Sequence, residues 1–116
     1  MEQTTFEMVP ENVRRAVAFA LGRLTEVRDG ITRAADFEKR FGQAGRYQAD
    51  TFVNRRREIQ SAHATLAEFR KLAPSHGVEP EAFIGVLGGE PDLTPSSEAQ
   101  AWLDDPRGPV IGRTAS

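Results

Sequence analysis

Residues 13–34 read VRRAVAFALGRLTEVRDGITRA and residues 52–73 read FVNRRREIQSAHATLAEFRKLA. In the first stretch Val13, Val17, Ala20, Leu24, Val27, Ile31 and Ala34 recur at alternating steps of four and three. In the second, Phe52, Ile59, Ala62, Leu66, Phe69 and Ala73 keep the same rhythm, with Arg55 on the one rung that is not apolar or small. A step of 3.5 residues puts each set on one side of an α-helix, so each stretch carries a single seam. Between them Phe41-Gly42-Gln43-Ala44-Gly45 supplies a turn, since glycine adopts the positive φ that helix C-termini often need. The reading is all-α: a long antiparallel helical hairpin with arms of about 10–41 and 46–73.

The ends of the arms have local causes. Pro10 and Glu11 suit the start of the first helix, where a missing N–H costs nothing and a negative charge meets the positive helix end. Gly22 and Gly30 each oppose helix by about 1 kcal/mol relative to Ala. The ladder nevertheless keeps its phase across both, which favours one helix, bent at Gly30, over two. Pro74 stops the second arm. Folding the arms about Gln43 sets Val17 against Phe69, Ala20 against Leu66, Ile31 against Arg55 and Ala34 against Phe52, and several of these layers match large with small. Arg55 can lie along the seam and send its guanidinium to Asp29 or Asp36. Glu38 falls opposite Gln48, which gives the hairpin a polar tip able to splay.

After Pro74, Glu79-Pro80-Glu81 opens a short third helix, about 80–88, with Phe83, Ile84, Val86 and Leu87 on its apolar side. So short a helix needs support. The base of the hairpin offers it near Val13, Ala16, Val17, Phe69 and Leu72, with Phe6 and Val9. Residues 1–89 thus form a hairpin domain. Residues 90–116 form an acidic, Pro- and Ser-rich tail, partly disordered, with a short helix at about 95–104 started by Thr94-Pro95.

A chain of 116 residues fits one domain. Cysteine is absent, which removes disulfides, thiolate catalysis and zinc–thiolate sites. No run approaches the roughly 20 apolar residues of a membrane span, and the N-terminus lacks the pattern of a secretory signal. The expectation is a cytoplasmic protein without membrane attachment. The net charge of −2 conceals a division. Residues 11–73 hold thirteen Lys/Arg against eight Asp/Glu, whereas residues 74–116 hold two Arg against seven acidic groups.

No residue set for chemistry lies on this scaffold. His63 and His76 are the only histidines, and neither sits in a nucleophile–base motif. No metal-ligand spacing or phosphate-binding glycine loop occurs, so no catalytic residue, metal or cofactor is expected. Two places remain for contacts with a partner. Arg55, Arg56 and Arg57 form the one charge run, and on a helix they fan over about 200° instead of lining one stripe. Trp102, the single Trp, lies with Leu103 and Leu93 in the tail. It either folds back onto the helical core or anchors the tail in a partner's groove.

In layout the chain resembles the small secreted hairpins of the WXG type, which have two helices of similar length and a Gly-containing turn near residue 43. The turn here lacks Trp-x-Gly, and the tail lacks Tyr-x-x-x-Asp/Glu, so the resemblance stops at topology. The functional expectation is a non-enzymatic protein–protein interaction module, an adaptor, inhibitor or assembly factor. The alternative is a nucleic-acid-associated regulator working through the arginine-rich arm. A homodimer through Phe19, Leu21 and Phe37, which lie off the seam, is a further expectation.

Overall fold

The computed structural model describes residues 8–105. Among these the fold is all-α: α1 (Glu11–Phe41), α2 (Arg46–Asn54), α3 (Arg56–Leu72), a 3-10 turn (Ala73–His76), α4 (Pro80–Val86) and α5 (Ser97–Leu103). No described helix is long and apolar enough to cross a membrane. The chain divides into two compact units, Met1–Thr25 with Glu58–Pro91, and Glu26–Arg57 with Asp92–Ser116.

α1 runs unbroken through Gly22 and Gly30, as the phase of its ladder requires. Of the ladder, Val17, Ala20, Leu24, Val27, Ala62, Leu66, Phe69 and Ala73 are buried, and the five remaining apolar members are partly buried. The 46–73 arm is two helices, not one. α2 ends at Asn54, and Arg55 leaves helical geometry at φ −104° and ψ 18° while its N–H still donates to the Thr51 carbonyl at 2.9 Å. The interruption falls on the single charged rung of the ladder, where nothing apolar holds the helix to a core. Where Asp29 or Asp36 was expected as its partner, Arg55 pairs with Glu26 at 3.7 Å. Thr51 lies beside Gly30 in the same unit, with its methyl 3.7 Å from where a Cβ on Gly30 would stand.

The first unit is organised by burial. Val9, Val17, Ala20, Leu21, Leu24, Ala62, Leu66, Phe69, Ala73, Val78, Phe83 and Ile84 form its core. At roughly 25 cal/mol per Å², each large side chain removed from water contributes on the order of 2 kcal/mol. Leu21 corrects an expectation: it is 4% exposed and so unavailable to a dimer face. It follows Val17 by four and precedes Leu24 by three, and it widens the apolar stripe beyond a two-helix seam. The extra width meets the needs of a core that also takes in α4.

α4 is shorter than the 80–88 expected. It opens as its sequence indicates, with Pro80 in the first turn and the Glu79 carboxylate accepting the Ala82 N–H at 2.7 Å. Phe83 meets Phe69 with ring centroids 5.2 Å apart. Val86 does not join the apolar side and is 70% exposed. Arg70 binds the helix and the segment behind it. Its Nε donates to Glu81 Oε2 at 2.6 Å, and Nη2 donates to Glu90 Oε1 at 2.7 Å. The Arg70 guanidinium holds the Glu81 carboxyl below its ordinary value, and the two carboxylates raise that of Arg70. His63 Nε2 stands 3.7 Å from Glu90 Oε2.

Among the described residues of the second unit, Val27, Ala49 and Ala99 are the buried apolar ones, and α2 and α5 pack on each other. The tail therefore holds a helix, Ser97–Leu103. Its helix starts later than Thr94-Pro95 suggests, because Ser96 is the cap and its Oγ accepts the Ala99 N–H at 3.1 Å. Thr94 instead donates to Asp92, both N–H and hydroxyl, which keeps that carboxyl below its ordinary value. The expectations for Phe6 and for the last ten residues lie outside the described residues.

Candidate interaction surface

The turn between α1 and α2 belongs to the second unit and is organised by one buried carboxylate. Glu38 is 6% exposed. Its Oε1 accepts the Gly45 N–H at 2.8 Å and the Gln48 side-chain amide at 2.7 Å. Its Oε2 accepts the N–H groups of Tyr47 at 2.6 Å and Gln48 at 2.9 Å. The first N–H groups of a helix have no partner within it, and the N-terminus is electropositive. Glu38, in the last turns of α1, therefore caps α2 from the preceding helix. Burial pushes its carboxyl upward, but the bonds from Gln48, Gly45 and Tyr47 outweigh this and leave it below its ordinary value of 4.5. The expected pairing of Glu38 with Gln48 is present. The expected splaying is not, because four donors converge on the two oxygens.

Gly45 is required twice over. Its φ of +86° suits glycine, and a Cβ there would stand 2.3 Å from the Glu98 carbonyl carbon and 2.5 Å from the Ala99 nitrogen. The backbone of α5 therefore sits directly on the turn. Trp102 secures it, its indole Nε1–H donating to the Ala44 carbonyl at 3.0 Å. The Arg46 guanidinium carbon lies 5.7 Å from the centroid of the Trp102 ring and 5.8 Å from that of Tyr47. Such contacts are attractive because a cation meets the negative face of a π system.

Beside this brace the rings of Phe37, Phe41 and Tyr47 form an outward cluster. Phe37 and Phe41 stand 4.6 Å apart with planes tilted by 40°, and Phe37 meets Tyr47 edge-on at 5.0 Å and 76°. They are 44%, 69% and 37% exposed. Three large aromatic rings held together in solvent are unusual, because burying them elsewhere would be favourable. A shallow open recess of about 170 Å³, lined by Ala35, Glu38, Lys39, Ala44, Gly45, Gln48 and Glu98, is also present. It is smaller than the few hundred Å³ typical of a small-molecule site.

The residues singled out from sequence are distributed as follows. Arg55 is the helix break, partly buried and paired with Glu26, while Arg56 and Arg57 are exposed at the start of α3. Trp102 and Leu103 are partly buried in α5, and Leu93 is partly buried ahead of it. Phe19 is 65% exposed with the Arg23 guanidinium 5.0 Å from its ring centroid, and it belongs to the first unit, whereas Phe37 belongs to the second. Sequence reasoning missed the cluster around Phe37. One signal existed: Phe37 lies off the ladder, and Phe41, four residues on, sits where the ladder runs out at the turn. Nothing local announces Tyr47, which joins them across the turn. Among the described residues, no three His, Asp or Glu side chains gather in a way that could hold a metal ion. No protein-family model, curated protein or solved structure matches this chain.

Proposed function

We propose that the protein is a non-enzymatic interaction module, an adaptor, inhibitor or assembly factor, that engages another protein through Phe37, Phe41 and Tyr47. The observation that carries this reading is the exposure of three rings, with Phe41 and Tyr47 each packed against Phe37. Interfaces centre on a few aromatic anchors, and rings already held in place lose little freedom when a partner covers them. Glu38 supports the surface by fixing the turn that brings Tyr47 against Phe37. In this reading Trp102 braces the turn from within the chain, and Leu93 and Leu103 support that brace.

A photo-crosslinking residue in place of Phe41, in cells of the native host, tests the proposal. It is expected to join covalently to one discrete protein, whereas the same residue in place of Phe19 or Ser61 joins to none. Adducts at Phe19 with none at Phe41 would overturn it. The alternative, a nucleic-acid regulator, draws on the exposure of Arg56 and Arg57. It requires retention on a polyanion that falls steeply with salt and is lost in R56A/R57A.

A further inference from the structure

We infer that the groove under α5 is a docking site for a helix of another protein that presents Ser-x-x-Ala-x-x-Trp-Leu, with α5 as its internal competitor. Ser96, Ala99, Trp102 and Leu103 spell that pattern, and the contacts they make define what the groove selects. The Ser96 hydroxyl donates to Gln48 Oε1 at 3.3 Å. Ala99 is fully buried, and its N–H and the Glu98 carbonyl carbon fill the place that a Cβ on Gly45 would take. The Trp102 indole N–H donates to the Ala44 carbonyl at 3.0 Å, and its ring meets the Arg46 guanidinium. Helix positions three apart lie on one face, so a single face makes all three contacts. The groove therefore calls for a hydroxyl first, a small residue three positions on, and an indole three beyond that.

The receiving side is organised without α5. Glu38 holds the backbone N–H groups of Gly45, Tyr47 and Gln48, and none of its four bonds runs to α5. The occupant, by contrast, is held lightly. Seven residues are too few for a helix to persist alone. Of these, only Ala99 is buried; Trp102 and Leu103 are partly buried, and Ser97, Glu98, Gln100 and Ala101 are exposed. What favours α5 is its tether, which gives it a local concentration on the order of 1 mM. A partner already held close by meets that advantage. Arg46 contacts the rings of both Trp102 and Tyr47, so the groove adjoins the aromatic surface. This step rests on the surface proposed above, whereas the selectivity of the groove does not. A second copy is the weaker occupant, because exchanging α5 between copies only restores contacts that each already makes.

The test is an amide NMR titration of the full chain with a free peptide of residues 92–105. Trp102→Ala in the chain weakens α5 and leaves the groove. This variant is expected to bind the peptide at least about tenfold tighter than the wild type does, with shifts at Ala44, Gly45, Arg46 and Gln48. Excess peptide should displace α5 from the wild type, seen as loss of helical shifts at residues 97–103. Ala99→Leu or Trp102→Ala in the peptide should each abolish binding. Circular dichroism checks that the chain variant folds; if it does not, Trp102→Phe, which keeps a ring without the N–H, replaces it. No binding to a folded variant, or equal binding to variant and wild type, would overturn the inference. Binding that survives both peptide substitutions would overturn the pattern. A wild-type dimer that Trp102→Ala returns to monomer would assign the groove to a second copy and overturn the partner helix. None of these readouts uses Phe37 or Phe41, so failure here is distinct from failure of the aromatic surface.

Discussion

The two units of this chain solve the same problem with opposite materials. Among the described residues, six of the seven largest fully buried side chains, Val9, Val17, Leu24, Leu66, Phe69 and Phe83, belong to the first unit, and Val27 belongs to the second. The second exposes three of its rings, and among its described residues it buries one carboxylate, a glycine, a valine and two alanines. A core of large apolar groups is stable by area and insensitive to pH. A turn built on one carboxylate loses part of its stabilisation when that group is protonated. The unit with the poorer core is also the one that exposes a cluster of three aromatic side chains.

The comparison can be broken or sharpened by substitution. The largest effect is expected from Phe69→Ala in the first unit, which empties a fully buried site against Phe83 and should cost about 3–5 kcal/mol in chemical denaturation. A loss below about 1 kcal/mol would show that this core is not what holds the unit. Next comes Gly45→Ala. The new Cβ meets the backbone of α5 and the residue must keep a positive φ, so a loss of about 2 kcal/mol or more is expected. Its signature is specific: Trp102 fluorescence should shift to the red as the indole leaves the Ala44 carbonyl.

Glu38→Gln should follow, at about 1–3 kcal/mol, since the charge-assisted bonds to the α2 terminus are lost although the shape is kept. Its pH dependence carries a sign. The folded-state pKa of Glu38 lies below 4.5, so its stabilisation is fully present above 4.5 and is lost as pH falls through the folded value. Acid titration of the wild type should therefore weaken amide protection at Tyr47 and Gln48, and Glu38→Gln should flatten this dependence. A variant that titrates like the wild type would assign the acid sensitivity to other groups. The smallest effect, of opposite sign, is expected from Gly22→Ala. That position is helical and exposed, with nothing within 4 Å of the added Cβ, so thermal stability should rise by about 1 kcal/mol. No gain would mean that α1 is frayed or bent there.

How much of this was legible depends on the range of the interaction. The α1 ladder, Pro74 as a stop, and the Glu79-Pro80 opening of α4 are short-range signals, and each appears in the structure. Arg55 was visible as a fault in the second ladder, but not as the end of a helix. Whether a chain breaks or snorkels at such a rung depends on what faces it. Val86 looked apolar in sequence and stands in solvent because α4 ends there. For the candidate surface, Phe37 was readable as an off-ladder ring four residues from Phe41, and Trp102 as an isolated ring with two possible fates. Glu38 was invisible as a cap, because a local capping box spans three residues, whereas its donors lie seven to ten residues away.

By itself, then, the sequence determined the helical class, the ladder that is buried in the two units, the polar turn and the absence of any recognisable catalytic or metal motif. These follow from periodicity and residue chemistry, which act between neighbours in the chain. Only the tertiary structure decided that Arg55 ends a helix, that Leu21 is core, that α5 sits on Gly45 and that Tyr47 joins Phe37 and Phe41 in solvent. Each of these depends on which surfaces meet across long stretches of chain. Such meetings are set by competition among all the groups that could be buried, and no local pattern records its outcome.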